Sequence, residues 1–218
     1  MKSLRWAGLA LLIALAPGAT PAAAEHGVRM RDLTGDISTR GAERIELRLP
    51  PGTIRVEPSP DGRLRVDLGV YCNLGRDDCG ERAETLSLRS NLEGNTLELR
   101  VEGFNSIRNL GLNVRGKILV PRGKALEVNF SAGELTVSGI EGDLNVDAGV
   151  GEVTVILHER DVRSVRVGVG IGEANLSVAG RRIEGSGWLG QKVRWGDGAG
   201  DARVAVTLGV GDLAVKLD

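Results

Sequence analysis

The chain has 218 residues and a formal net charge of −1, with 28 basic and 29 acidic residues. This balance gives no broad electrostatic attraction to nucleic acid or to anionic lipid, so neither is expected as a partner. Aromatic residues make up only 3% of the chain, so the core must be built from Val, Leu, Ile and Ala. The length suits one sizeable domain or two small ones.

The first 24 residues have the pattern of a secretory signal peptide. A basic start from Met1 to Arg5 is followed by the apolar run WAGLALLIALA, and small residues end at Ala24, just before Glu25. The apolar run is shorter than the roughly 20 residues that span a bilayer, so we expect cleavage after Ala24. The mature protein is therefore predicted to be periplasmic or secreted, without stable membrane insertion.

From residue 44 onward, apolar and polar residues alternate. The pattern is seen in RIELRLP with Ile45, Leu47 and Leu49, and again in RLRVDLGV with Leu64, Val66, Leu68 and Val70. Alternation bounded by turn formers such as PPG, SPDG and LEGN is typical of half-buried strands. We predict a flexible segment at 25–43 and one all-β domain at 44–218, with antiparallel hairpins over 44–130 and a repeat part over 131–218.

The two cysteines of the chain, Cys72 and Cys79 in YCNLGRDDCG, are separated by residues rich in turn formers. In an oxidising compartment such a pair most simply forms a disulfide, which stabilises a small loop by roughly 2 to 3 kcal/mol. A metal site would need further ligands, and the neighbourhood offers only Asp77, Asp78 and Glu81. A redox pair usually has two residues between its cysteines. We therefore predict a structural disulfide.

A motif of glycine, acid, apolar residue, any residue and valine recurs in the second half. Its copies are GELTV at Gly133, GDLNV at Gly142, GEVTV at Gly151, the longer GEANLSV at Gly172, GDARV at Gly200 and GDLAV at Gly211. The first three copies are nine residues apart, which suits one short strand and one turn per unit. Such units predict a short β-solenoid or β-roll, with Gly133 stacked on Gly151 and Gly142 on the opposite face. A plain antiparallel meander stays possible.

The segments GELTVSGIEGDLNVDAGVGEVTV, VGVGIGEANLSV and LGVGDLAVKL resemble the adhesin-like, toastrack-type β-strand repeat family of bacterial envelope proteins. The resemblance covers about residues 44–218. It implies a β-solenoid or β-roll, an exported or envelope-facing location, and biochemistry that is largely unassigned.

The sequence contains only incomplete forms of a dinucleotide-binding glycine motif and of a catalytic triad. The stretch from Gly185 to Gly190 matches Gly-x-Gly-x-x-Gly, but QKVRWGDGAG follows it and has no helical pattern, whereas a helix N-terminus is needed to bind a pyrophosphate. The mature chain has only His26 and His158, so a catalytic triad would depend on His158 alone. We expect His158 to be an ordinary loop residue, and we predict no cofactor and no catalytic residue.

The acidic residues of the motif are Glu134, Asp143, Glu152, Glu173, Asp201 and Asp212. We expect them to be hydrated, to accept turn amides, or to pair with Arg163, Arg166 or Arg203. Calcium is the first alternative, although each turn supplies one acid and few ligands converge. The second alternative is an enzyme that cleaves envelope glycans by hydrolysis or lyase chemistry with paired carboxylates. We predict no metal site.

Trp188 and Trp195 flank LGQKVR in the longest insertion. They either form an exposed contact or cap the end of the stack, and capping is favoured because an open end exposes apolar residues and strand edges. The resulting prediction is a non-catalytic, adhesin-like envelope protein whose repetitive β surface contacts a protein or a polysaccharide. The sequence leaves the partner and the oligomeric state open.

Overall fold

The computed structural model describes residues 27–72, 78–104, 111–183, 185, 190–196 and 198–218. Within these ranges the chain is nearly all β, with one short helix, α1 (Cys79–Glu84), and one 3₁₀ turn at Glu159–Asp161. The strands are β1 (Val28–Ile37), β2 (Arg44–Leu49), β3 (Gly52–Pro58), β4 (Leu64–Cys72), β5 (Ser87–Glu93), β6 (Thr96–Glu102), β7 (Leu112–Val120), β8 (Ala125–Ser138), β9 (Leu144–Leu157), β10 (Val162–Val178), β11 (Arg181–Ile183), β12 (Gln191–Trp195) and β13 (Ala202–Leu217). The predicted signal peptide and Trp188 lie outside the described residues.

Four long strands form the centre of one mixed sheet. They lie in the order β8, β9, β13, β10, and every neighbouring pair is parallel and in register. Each has 14 to 17 residues, so a single bent strand replaces two of the predicted nine-residue units. Because β13 inserts between β9 and β10, the spatial order differs from the chain order expected of a simple stack.

The bend in each long strand divides the sheet into two wings. The first wing contains β5, β6 and β2 with the first halves of the long strands and β12. The second wing contains β1, β4, β7 and β3 with the second halves of the long strands and β11. We call the line of bends between the wings the corner.

Inward-facing side chains from both wings form one hydrophobic core. Leu47 and Val128 of the first wing and Val56 and Val137 of the second are each fully buried, and all four belong to the same cluster. The alternation therefore predicts the core-facing side of these strands correctly.

The structure corrects the antiparallel hairpins expected over 44–130. Strand β2 pairs in parallel with β6 and β8, and β3 pairs in parallel with β7 and β8. Pro50 and Pro51 do not reverse the chain; they carry it around the same corner as the long strands. Of the three turn sequences, LEGN closes a hairpin, between β5 and β6.

The segment 25–43, expected to be flexible, contains β1, which pairs antiparallel with β4. In β1 only Leu33 is buried, so this edge strand has too little alternation to be seen in the sequence. The predicted boundary at 130/131 falls inside β8, so the hairpin part and the repeat part share a strand.

The disulfide region closes one end of the core. Cys72 ends β4 and Cys79 begins α1, and their Sγ atoms are 2.03 Å apart with a Cα–Cα distance of 5.9 Å, in agreement with the predicted pairing. Both cysteines and Ala83 are buried, so α1 covers apolar residues next to β4. Within the described ranges, none of the helical segments has the length and apolar content needed to cross a membrane.

Candidate functional site

A row of glycines forms the corner. Gly133, Gly151, Gly211 and Gly172 stand side by side on the four long strands, with φ values of 112°, 134°, 131° and 131°. A Cβ on Gly151 would lie 1.9 Å from the carbonyl oxygen of Gly133. A Cβ on Gly211 would lie equally close to the carbonyl oxygen of Gly151, and a Cβ on Gly172 equally close to that of Gly211. Glycine is therefore required both for the left-handed φ and for the close approach of the backbones.

A second glycine row lies two residues earlier in three of these strands. A Cβ on Gly149, Gly209 or Gly170 would lie 2.4, 2.5 or 2.6 Å from a carbonyl oxygen of the neighbouring strand. Gly170 and Gly172 of VGVGIGEANLSV thus belong to a bend shared by several strands, and their spacing follows from the close packing of the backbones.

Between the two glycine rows stands a line of apolar side chains, which we call the corner ridge: Ala132, Val150, Val210 and Ile171. Val150, Val210 and Ile171 are 53%, 41% and 63% exposed. The glycines on either side have no side chains that could cover them. Sequence reasoning missed this ridge, although a β-branched residue between two glycines, as in GVG and GIG, was its signal.

Next to the ridge, on the second wing, runs what we call the acidic row: Glu134, Glu152, Asp212 and Glu173. These four exposed residues are in register on neighbouring strands, which are spaced about 4.8 Å apart. Among the residues that the structure describes, no salt bridge involves any of them. Pairing with Arg163, Arg166 or Arg203 was one expectation for the motif carboxylates, and at the corner it does not occur.

The other two motif carboxylates lie away from the corner, where β9 and β13 begin. The backbone N–H of Arg203 donates to Oδ1 of Asp143 at 2.8 Å, and Arg163 lies 3.6 Å from Asp201. Here the expected arginine neighbours are present. The six copies of the motif therefore separate into two sets, because the motif occurs both at strand starts and at the corner.

An open groove of about 540 Å³ follows the corner on the side of the acidic row. Backbone of Gly52, Gly133 and Gly151 lines it, together with Glu134 and Asn113. The Asn113 side-chain oxygen is buried, and no hydrogen-bond partner for it lies among the described residues. The groove adds a polar surface beside the apolar ridge.

The described residues that could belong to a catalytic triad or a metal site are not brought together into such a site. Nδ1 of His158 lies 3.2 Å from the Asp218 carboxylate, and both are exposed residues at the far end of the second wing from the corner. Within the described ranges, no group of three or more His, Cys, Asp or Glu residues is placed to hold a metal ion.

Trp195 lies on the last strand of the first wing. It pairs with Val165 of β10, is half-buried and packs against the core. Its ring also lies close to Gly198, where an added Cβ would be 2.8 Å from the ring carbon Cη2. This position is at the end of the sheet, where a capping residue is expected. Its predicted counterpart, Trp188, lies outside the described residues.

Comparison with known proteins adds evidence on the fold. No family model and no curated protein matches the chain. Among solved structures it is similar to a “putative cell adhesion protein” from Clostridium sporogenes, with 16% identity, a TM-score of 0.50, and coverage of 86% of this chain and 99% of the other. The chain therefore shares the overall fold of this protein. A “putative adhesin” from Bacteroides fragilis matches at 14% identity over 87% of this chain and all of the other, with a TM-score of 0.26.

Proposed function

We propose that the chain is a non-catalytic, adhesin-like protein of the bacterial envelope that binds a protein partner through the corner ridge. The observation that carries this proposal is the alignment of Val150, Val210 and Ile171, all exposed, on three neighbouring strands. Exposed large apolar residues scattered singly are common on soluble proteins, whereas a contiguous patch rimmed by polar residues is typical of an interaction site.

The chemistry of the ridge favours a protein over a polysaccharide. Its side chains are aliphatic, and a partner's apolar side chains can pack on them with the area-dependent gain of hydrophobic burial. The acidic row and the groove beside the ridge would then form the polar rim of the contact. The fold shared with the C. sporogenes protein supports an adhesion role, and the predicted signal peptide supports export.

The repeat sequences support the proposal that this chain is a member of the toastrack-type family. In this structure the glycine-acid pairs of four motif copies form the corner, so the residues that carry the resemblance also build the proposed contact surface.

The test is sedimentation of the mature chain with envelope fractions of the native cells. Val150→Ser, Val210→Ser and Ile171→Ser combined should reduce the bound fraction at least about 10-fold, which corresponds to about 1.4 kcal/mol. Leu92→Ser is the matched control, since Leu92 is an equally exposed apolar residue on β5 of the first wing, away from the corner.

Protease treatment of the envelope separates the two partner classes. Loss of binding after proteolysis supports a protein partner. Binding that survives proteolysis and is unchanged in the triple variant rejects the ridge as the contact. Release of glycan fragments during incubation would instead favour an enzyme.

A further inference from the structure

The last strands of the first wing carry a group of basic side chains on their outer face. Strands β13, β10 and β12 lie side by side there, and Arg166 on β10 and Lys192 and Arg194 on β12 are all exposed. Arg166 stands directly opposite Arg194, and Lys192 stands opposite Gly168. We call Arg166, Lys192 and Arg194 the cationic platform.

The surface beside these cations is open. On β13, Ala205 stands opposite Arg166, and the exposed Thr207 stands opposite Gly168. A Cβ added to Gly168 would meet no atom within 4 Å. Because these neighbours are small and the strands are only about 4.8 Å apart, one ligand can reach all three cations.

The positive charges of the platform are not balanced by nearby carboxylates. Like charges directly opposed on neighbouring strands destabilise a sheet, and Arg166 and Arg194 are such a pair. In the part of the chain that the structure describes, none of the three cations takes part in a salt bridge. Across the strands from Lys192, the first carboxylate in register is Asp147 of β9, beyond Gly168 and Thr207. A bound anion would therefore relieve the repulsion.

A second opposed pair of cations, on the second wing, has different surroundings. Arg55 of β3 stands opposite Lys117 of β7, but Asp67 of β4 stands opposite Lys117 on its other side. Glu57 lines the same groove. Carboxylates of the chain thus share this surface, whereas the cationic platform has none beside it among the described residues.

We propose that the cationic platform binds an anionic polysaccharide, one that carries sulfate, phosphate or carboxylate groups along its chain. Guanidinium groups such as those of Arg166 and Arg194 bind these anions through two parallel N–H donors. The Thr207 hydroxyl can donate to or accept from sugar hydroxyls.

The floor of the platform favours a polysaccharide over a protein. Gly168, Ala205 and Thr207 provide backbone and small side chains, and the large apolar and aromatic side chains that form the centre of a protein interface are not among them. The net charge of the whole chain is −1, so attraction of a polyanion has to come from a local group of cations. This inference concerns the first wing and does not depend on the proposed function of the corner ridge.

The test measures binding of the mature chain to dextran sulfate and to polygalacturonate by isothermal titration calorimetry, with neutral dextran as the blank. We expect binding at low ionic strength that weakens as salt rises, because exposed charge pairs are screened. Arg166→Ser combined with Arg194→Ser should raise the dissociation constant at least ~10-fold. Binding to dextran sulfate alone assigns the platform to sulfate or phosphate groups, and binding to both polymers extends it to carboxylates.

The matched control is Arg55→Ser combined with Lys117→Ser. It removes the same two charges from another directly opposed pair, and should raise the dissociation constant less than about 2-fold, since Asp67 already opposes Lys117. The triple serine variant of the corner ridge should bind the polymers as the wild type does, which keeps this test separate from that of the proposed function. Circular dichroism confirms that the variants fold.

Three outcomes overturn the proposal. The first is a wild type that binds neither anionic polymer at low salt. The second is an equal loss of binding in the two double variants, which would mean that binding follows net charge and not the platform. The third is tighter binding to phosphatidylglycerol vesicles or to polyglutamate than to either polysaccharide, which would assign the platform to a lipid surface or to an acidic protein segment.

Discussion

The corner is built in two ways along the sheet. In β8, β9, β13 and β10 the strand continues through the bend on a glycine of positive φ. Between β2 and β3 the strand is interrupted by Pro50 and Pro51, yet Gly52 keeps the close contact, with an added Cβ 1.9 Å from the carbonyl oxygen of Val114. The comparison shows that the close approach of neighbouring backbones is common to both versions, whereas strand continuity is not.

The two wings differ in how their surface charges are paired. On the first wing Arg48 lies 2.7 Å from Glu46 and 3.6 Å from Glu98, and a hydrogen bond from Arg100 is the main cause that lowers the pKa of Glu102. The acidic row of the second wing has no such neighbours among the described residues. The first wing thus pairs these charges within the chain, whereas the four carboxylates of the acidic row have no salt bridge among the described residues.

The largest expected effect comes from breaking the continuous version of the corner. Gly172→Ala puts a Cβ 1.9 Å from the carbonyl oxygen of Gly211 at a φ of 131°, and should destabilise the fold by about 3 kcal/mol or more. Gly168→Ala, on the same strand, meets no atom within 4 Å and should change stability by less than about 1 kcal/mol. Urea unfolding measures both. Equal midpoints for the two variants would contradict the role assigned to the corner glycines.

The next largest effect is expected from removing the disulfide, which tests whether the stability of β1, β4 and α1 depends on this cross-link. Cys72→Ser with Cys79→Ser should lower the free energy of unfolding by about 2.5 kcal/mol, as the chain-entropy estimate gives for so short a loop. Hydrogen exchange should show the loss of protection concentrated in β1, β4 and α1, with β9 and β13 little changed. Uniform loss of protection across the sheet would mean that the two regions unfold as one unit.

Sequence reasoning succeeds where burial sets the pattern. The alternation around Ile45, Leu64 and Leu126 predicts the strands and their buried side because each inward side chain enters the core. The stacking of Gly133 on Gly151 is also confirmed, since an 18-residue separation returns the chain to the same place in the next strand.

Sequence reasoning fails where pairing between distant segments determines the order of the strands. The insertion of β13 between β9 and β10 depends on contacts between distant segments, and no local pattern records it. Likewise, PPG predicts a bend but not its direction, so β2 and β3 looked like a hairpin. The corner ridge was missed because Val150, Ile171 and Val210 continue the apolar content of their strands, and only the bend turns them outward.

The smallest expected loss of stability comes from removing the Trp195 ring, at the end of the sheet opposite the disulfide. The N-terminal end is closed by a helix and a disulfide, and the far end by the half-buried ring of Trp195. Trp195→Ala should destabilise the chain by about 1 to 2 kcal/mol, less than a fully buried tryptophan because part of its surface already contacts water. Arg194→Ala is the control, since Arg194 is an exposed neighbour on the same strand. A melting temperature unchanged by Trp195→Ala, together with loss of envelope binding, would make Trp195 a contact residue instead of a cap.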